Sequence, residues 1–412
     1  MNIAIFTDLY DPHIGGTETS IQMQRRALEA AGHHVVIVTP RYPGRKDTSV
    51  IELPSMVVRF QNDLMAIHIP RPGVVKSTAA RLKALSIEVI HCQTEFGTGL
   101  VGYRVARKLN LPLIYTSHTK LWQQLSMSTL AQRIGTVVMV RGVLGYLGRG
   151  CTREIKRRPG EKRSMRALRQ LIARFAELAT VATAPSGHHA REVMSWSQHL
   201  KLTVLYNFVA IKRHQPPLPD LPHFLWIARM QNEKQPLLFV EALRLLHERQ
   251  PGKFRASMIG SGDLMDRVQL AGRDVPELDI VGQVPYEQID GYVDTSSIII
   301  GTSFGFDTAG ITMVEGFMAA RGAVVIDPNL QESVAQEAML VSDQPTAASL
   351  AEVLEQLVRA PAQIEELSNA AKKARDHFFA DTAVTRQIEL YSKVLKPDFQ
   401  PLSTPDNRPV AN

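Results

Sequence analysis

The chain has 412 residues, 44% apolar and 21% charged, with a formal net charge of +7. That length exceeds the usual size of one hydrophobic core, and the balance is that of an ordinary globular protein, which excludes a disordered or fibrous chain. Its two cysteines, Cys92 and Cys151, are too few for a disulfide framework or a cysteine metal site. With no uninterrupted run of about 18 apolar residues either, the expectation is a cytoplasmic protein without a secretion signal or spanning helix.

In chain order, residues 3–7 read as a buried strand, 22–31 as a helix closed by Gly32, and 35–39 as the next strand. Further strands are expected at 57–60, 89–92, 113–116 and 181–184, with helices such as 100–109 between them. Strands alternating with helices predict a parallel sheet covered on both faces. The Pro-rich stretch 215–222 marks a stiff connection. A second series follows, with strands at 224–228, 255–259, 279–281 and 297–301 and helices at 236–248, 264–270 and 310–320. The expected domains are 1–207 and 223–382, joined by a linker over 208–222. A helix over 383–395 returns to the first domain, and the Pro-containing tail 397–412 is expected to be disordered. Ligands of such paired sheets bind where the C-terminal strand edges face each other across a cleft.

Charge is unevenly placed. From Arg141 to Arg174 eleven Lys and Arg residues, among them Arg157, Arg158, Lys162, Arg163 and Arg166, stand against only Glu154 and Glu161. With Val143, Leu144, Tyr146 and Leu147 beside it, this cluster suits an anionic membrane surface rather than nucleic acid, or else a solvated face.

The chemistry concentrates in Ser303-Phe-Gly-Phe-Asp307-Thr-Ala-Gly310-Ile-Thr-Met-Val-Glu315, a loop leading from a strand into a helix. That helix is apolar almost all round, and Glu315 is its only acid. An unpaired carboxylate there would cost roughly several kcal/mol if ionised, so it should meet fixed donors or a hydroxyl-rich ligand. After strand 224–228, Arg229 and Lys234 stand five apart at the start of a helix, where both can converge on one dianionic group. The Gly15-Gly16 pair permits close backbone approach to a ligand. The segments 91–97 and 115–119, with His91, Gln93, Glu95 and His118, lie at the ends of predicted strands, and their polar groups should emerge at the cleft edge.

The 303–320 stretch resembles the donor-site motif of retaining glycosyltransferases of the GT-B fold, family 4 type, in which two Rossmann-like domains face across a cleft. Two acids there are separated by seven residues; here the first is Asp instead of Glu. The resemblance implies that Asp307 contacts sugar hydroxyls, that the amides of Gly310, Ile311 and Thr312 hold the diphosphate, and that Glu315 binds the ribose. It makes Arg229 and Lys234 a diphosphate clamp. It sets Gly260 at a glycine turn, Val281 at a base-contacting strand end, Gly16 beside the donor phosphates and His118 near the transferred sugar. Together with Gln93-Thr-Glu95-Phe96, residues 113–119, Ala184-Pro-Ser186 and the basic stretch, the pattern over residues 1–395 is similar to that of bacterial diacylglycerol α-glucosyltransferases. This puts Glu95 and Phe96 on the acceptor side.

Two departures stand out: Asn207-Phe-Val-Ala210 replaces Asn-Gly-Val-Asp at the interdomain hinge, and Lys120-Leu-Trp122 lacks the tyrosine frequent after the histidine. The implied reaction is hexosyl transfer, glucose from UDP-glucose to diacylglycerol. The implied partners are a nucleotide-sugar donor, a lipid acceptor and the anionic inner face of the cell membrane. No cofactor and no metal are expected, since the chain has no Asp-x-Asp pattern. GDP-mannose as donor stays open, as do a weakened regulatory protein and a nucleotide-sugar epimerase on the same architecture.

Overall fold

The computed structural model describes residues 1–11, 16–45, 47–60, 63–68, 71–118, 120–124, 129–207, 215–333, 336–377 and 380–399. The hinge residues Phe208, Val209 and Ala210, Gly15 of the glycine pair, and all of the expected tail beyond residue 399 lie outside these. The chain divides into two compact units, Met1–Phe208 with Ala383–Asn412, and Val209–Thr382.

The first unit runs β1 (Asn2–Phe6), α1 (Gly16–Ala30), β2 (His34–Pro40), β3 (Ile51–Leu53), β4 (Met56–Phe60), β5 (Asp63–Ile67), α2 (Pro72–Ala84), β6 (Val89–Cys92), α3 (Gly97–Leu109), β7 (Leu113–Thr116), α4 (Leu121–Gln124), α5 (Leu130–Leu147), α6 (Arg163–Leu178), β8 (Val181–Ala184), α7 (Gly187–Met194) and β9 (Leu202–Val204). Seven strands form a sheet in the order β3-β2-β1-β6-β7-β8-β9, every pairing parallel. Alternation assigns Ala4 and Phe6 of β1 to one buried face and Ile3 and Ile5 to the other. Both faces being covered explains why these strands read as continuous apolar runs.

The segment expected at 57–60 is not part of this sheet. β4 pairs antiparallel with β5 as a separate two-stranded ribbon. A short β-branched run carries no signal of its partner, so sequence misassigned it. Sequence also passed over the edge strands β3 and β9, each three residues long, and started α1 six residues late.

The second unit runs β10 (His223–Ile227), α8 (Pro236–Arg249), β11 (Arg255–Ile259), α9 (Met265–Gly272), β12 (Leu278–Gly282), α10 (Tyr286–Thr295), β13 (Ile298–Gly301), α11 (Ile311–Met318), β14 (Gly322–Val325), β15 (Met339–Val341), α12 (Ala347–Arg359) and α13 (Pro361–His377). Its sheet is parallel, in the order β12-β11-β10-β13-β14-β15. The last helix, α14 (Ala380–Val394), sends Tyr391 and Val394 into the core under β1, β2, β6 and β7 of the first sheet.

The Pro-rich connector is tied to the second unit by one buried cation. Arg321 is fully buried and donates to the carbonyls of Pro216 at 3.0 Å, Pro217 at 3.0 Å, Asp294 at 2.7 Å and Val293 at 3.4 Å. Replacing Arg321 with Met would keep most of the volume and strand those carbonyls. Arg321→Met should therefore cost about 3 kcal/mol of stability in urea unfolding. An unchanged midpoint would show that water replaces the guanidinium at no cost.

Candidate functional site

In the second unit the strand order reverses between β10 and β13, which pair in parallel with Leu225 against Ile299 and Trp226 against Ile300. The loops leaving their C-terminal ends are therefore neighbours, and such a reversal is where α/β sheets accept ligands. The first loop carries Arg229 and Lys234, the second Asp307. Hydroxyl and indole groups join them: Thr302 Oγ1 donates to the Lys234 carbonyl at 2.6 Å, Ser303 Oγ to that of Glu233 at 3.0 Å, and Trp226 Nε1 to Thr302 Oγ1 at 2.8 Å.

Lys234 Nζ is hydrogen-bonded and ion-paired to Asp307 Oδ1, and also lies 5.6 Å from the Phe306 ring centroid. Arg229, more exposed, reaches Glu233 at 3.4 Å. The helix expected over 310–320 is shorter: α11 starts at Ile311, with Gly310 preceding it at φ 55° and no side chain capping its amides. Thr312 sits on the first turn, its hydroxyl 3.5 Å from the Ile227 carbonyl. Glu315 accepts a 2.9 Å hydrogen bond from the Tyr286 hydroxyl, a donor supplied by α10 that no local pattern announces.

Two glycines permit this geometry. A Cβ on Gly260, at φ 131°, would fall 1.9 Å from the carbonyl oxygen of Ala228, so the turn after β11 closes directly on the Arg229 loop. A Cβ on Gly316 would fall 2.4 Å from Ile299 Cγ1, so α11 lies flat on β13 only because that position is glycine. Val281, at the end of β12, is half-buried.

The first unit repeats the reversal between β1 and β6. Asp8, after β1, accepts from Thr94 Oγ1 at 2.5 Å and from the Thr98 amide at 3.0 Å, anchoring the start of α3. Gly16 is the first residue of α1. His118, after β7, shares a hydrogen bond with Gln93 Oε1, and Gln93 Nε2 donates to Gln24 of α1 at 2.8 Å. Behind them His91 bonds Thr116 Oγ1 at 2.6 Å and the Tyr391 hydroxyl of α14 at 2.7 Å. Asp8, Gln24 and Tyr391 were missed by sequence reasoning. Only Asp8 left a trace there, as the first charge after β1.

Burial keeps these groups neutral: it pushes His118 down to about 4 and His91 to about 3. Glu95, also buried, is pushed up to about 7, against the opposing effect of a hydrogen bond from Tyr115. Phe96 is half-buried and immediately precedes α3.

The basic stretch divides into two populations. Arg169 and Arg174 are buried, paired with Glu161 at 2.7 Å and Glu177 at 2.6 Å, and so are structural. Arg157, Arg158 and Arg163 are exposed, and Lys162 and Arg166 are half-buried. The apolar neighbours also need correction. Leu144 and Leu147 are in the core and Val143 and Tyr146 pack against it, so these four are not available to a membrane. Among the described residues no helix is long and apolar enough to cross a membrane, and no group of three His, Cys, Asp or Glu side chains could hold a metal ion.

The raised value for Glu95 has a testable sign. The unfolded chain loses this proton near 4.5 and the folded chain near 7, so the stabilisation of the neutral form is complete below pH 4.5 and lost as pH rises through about 7. Glu95→Gln cannot ionise. Its stability relative to the parent should therefore climb by up to about 3 kcal/mol between acidic and mildly alkaline pH in parallel melts. A difference independent of pH would show that burial does not hold the proton.

The model of glycosyltransferase family 4 matches residues 14–213, and that of glycosyl transferases group 1 matches residues 210–376. Alpha-monoglucosyldiacylglycerol synthase of Acholeplasma laidlawii is 36% identical over 123 residues, 29% of this chain and 30% of that protein. The match thus spans less than a third of that relative. Sucrose-phosphate synthase from Thermosynechococcus elongatus is similar in structure at a TM-score of 0.68, with 16% identity over 95% of this chain and 98% of the other. Anabaena HepE in complex with UDP-glucose gives a TM-score of 0.68, with 13% identity over 95% and 99%. At such identities the structural likeness speaks for the fold alone. Two doubly wound parallel units, each matching one half of the same enzyme architecture, place the chain in the GT-B glycosyltransferases, with a family 4 N-terminal half and a group 1 C-terminal half.

Proposed function

We propose that this protein moves glucose from UDP-glucose to the free hydroxyl of diacylglycerol, retaining the α configuration, at the inner face of the cell membrane and without a metal ion. The observation that carries the reading is the meeting of Lys234 with Asp307 beside the uncapped start of α11. A cation, a carboxylate and free helix amides together match the two ends of a sugar pyrophosphate. The glucosyl group and lipid acceptor are supported by the partial identity to alpha-monoglucosyldiacylglycerol synthase.

In this reading Arg229, Lys234 and the amides of Gly310, Ile311 and Thr312 neutralise the pyrophosphate, and Gly16 is a further donor-binding position. Asp307 holds sugar hydroxyls, while Glu315, oriented by Tyr286, holds the ribose, with Gly260 and Val281 alongside the nucleoside. His118, neutral at physiological pH, hydrogen-bonds the transferred sugar; Glu95 and Phe96 line the acceptor side. The bond from the anomeric carbon to the β-phosphate oxygen breaks, and a bond to the acceptor oxygen forms on the same face. The acceptor proton passes to the departing phosphate. Negative charge grows on UDP as this happens, which is where fixed cations and amides lower the barrier. The exposed residues Arg157, Arg158 and Arg163, with Lys162 and Arg166, meet anionic lipid headgroups.

The test is incubation of the full chain with UDP-glucose and diacylglycerol in vesicles, following UDP and α-glucosyldiacylglycerol. Equimolar products are expected, and Lys234→Met should lower kcat/KM about 100-fold while the variant stays folded at the assay temperature. Nucleotide-sugar binding with no transfer to any acceptor would replace this reading with that of a binding protein.

A further inference from the structure

α5 (Leu130–Leu147) is mostly apolar, interrupted only by Gln132, Arg133, Thr136 and Arg141, yet it is buried on only one side. Val140, Leu144 and Leu147 enter the core and the helix packs on α6. On the opposite arc Leu130 is 69% exposed, Ile134 56%, Val138 64% and Met139 41%, the first three repeating every fourth residue. Contiguous exposed apolar surface of this kind marks an interaction site.

The charge around it selects the partner. The chain has no acidic residue between Glu95 and Glu154, while Arg141 lies on the exposed arc of α5 and Arg149 just past its end. Exposed Arg153, Lys156, Arg157 and Arg163 follow. A second copy docking through a twofold contact would set these cations largely against their own kind, since the one exposed acid among residues 141–166, Glu154, is already held by His199 and Ser197. An anionic bilayer answers them everywhere. The backbone is also bare: a Cβ added at Gly135, Gly142 or Gly145 would meet nothing within 4 Å, so the face is flat and unobstructed.

We infer that α5 lies in the plane of an anionic phospholipid bilayer, with Leu130, Ile134 and Val138 inserted among the acyl chains and Arg141, Arg149 and the cations after them at the phosphates. Attachment then has an apolar component that salt does not screen, added to the screened attraction of the basic stretch. This inference rests on the reading of the acceptor as a membrane lipid, and it moves the apolar contact from the 143–147 segment to the opposite face of the same helix.

The test uses the full chain carrying Ile134→Trp and vesicles of phosphatidylcholine with phosphatidylglycerol, without sugar donor or diacylglycerol. The native Trp122, Trp196 and Trp226 are buried and set the baseline. Addition of vesicles should shift the reporter's emission to the blue, and brominated acyl chains should quench it. In the parent background, Ile134→Glu combined with Val138→Glu should weaken vesicle sedimentation at least about tenfold even at high salt, with unchanged melting. An unquenched reporter, or undiminished sedimentation of the double variant, would overturn the inference. So would a dimer in sedimentation velocity that the double variant dissolves, which would assign the face to a second copy. Since no transfer is measured, failure of insertion is told apart from failure of the glucosyltransferase reading.

Discussion

Parallel pairing of β10 with β13 is the constraint on which the candidate site depends. Because every strand of that sheet runs the same way, all its C-terminal ends lie on one edge, and the reversal of order at this pair leaves two loops side by side. Loops are ordinarily the mobile part of such a fold. Here side-chain hydrogen bonds from Thr302 and Ser303 fasten one loop to the other, and a third from Trp226 of β10 holds Thr302 in place. At about 1 kcal/mol each they do little for global stability. What they fix is the relation of Lys234 to Asp307, so a ligand meets a cation and an acid already in register.

Gly260 and Gly316 serve the same constraint from outside the two loops. Each stands where a side chain would collide, one with the Ala228 carbonyl and the other with Ile299. The collision at Gly260 is with backbone, which cannot rotate away. Alanine there would push the turn after β11 off the Arg229 loop, so the glycine belongs to the site although it offers no functional group.

Sequence made the central strands legible because burial on both faces turns them into unbroken apolar runs, as in Ile298–Gly301. It made Asp307, the cation pair and the glycine turn legible as candidates because they stand on loops that follow strands, where period and composition change, and Glu315 because it is the one acid on an otherwise apolar helix. It was silent on contacts made by distant chain. Tyr286 precedes Glu315 by 29 positions and Tyr391 follows His91 by 300, and nothing in either neighbourhood encodes the meeting. It misled on α5 for a different reason. A helix whose few polar residues are scattered around it has no periodicity to say which face is buried, so the 143–147 side was assigned to the membrane when it belongs to the core. The cations were misjudged in the same way: Arg169 and Arg174 resemble their exposed neighbours until Glu161 and Glu177 are seen beside them.

The two units treat charge in opposite ways. In the second, Arg229, Lys234, Asp307 and Glu315 stay at least partly accessible to solvent. In the first, His91, His118 and Glu95 are driven toward their neutral forms by burial. Under the proposed reaction this division has a reason. A sugar pyrophosphate arrives charged and gathers charge on its leaving oxygen as the bond breaks, so the groups that hold it must be ions that water can reach before the donor does. The transferred sugar takes on positive character as its bond to phosphate breaks, and an imidazolium beside it would oppose that charge. Keeping His118 unprotonated through its burial avoids that repulsion. The polar chain from Gln24 through Gln93 to His118, with His91 and Tyr391 behind it, then acts on orientation. It ties the histidine to α1, whose first residue is Gly16, and to a helix that returns from the far end of the sequence.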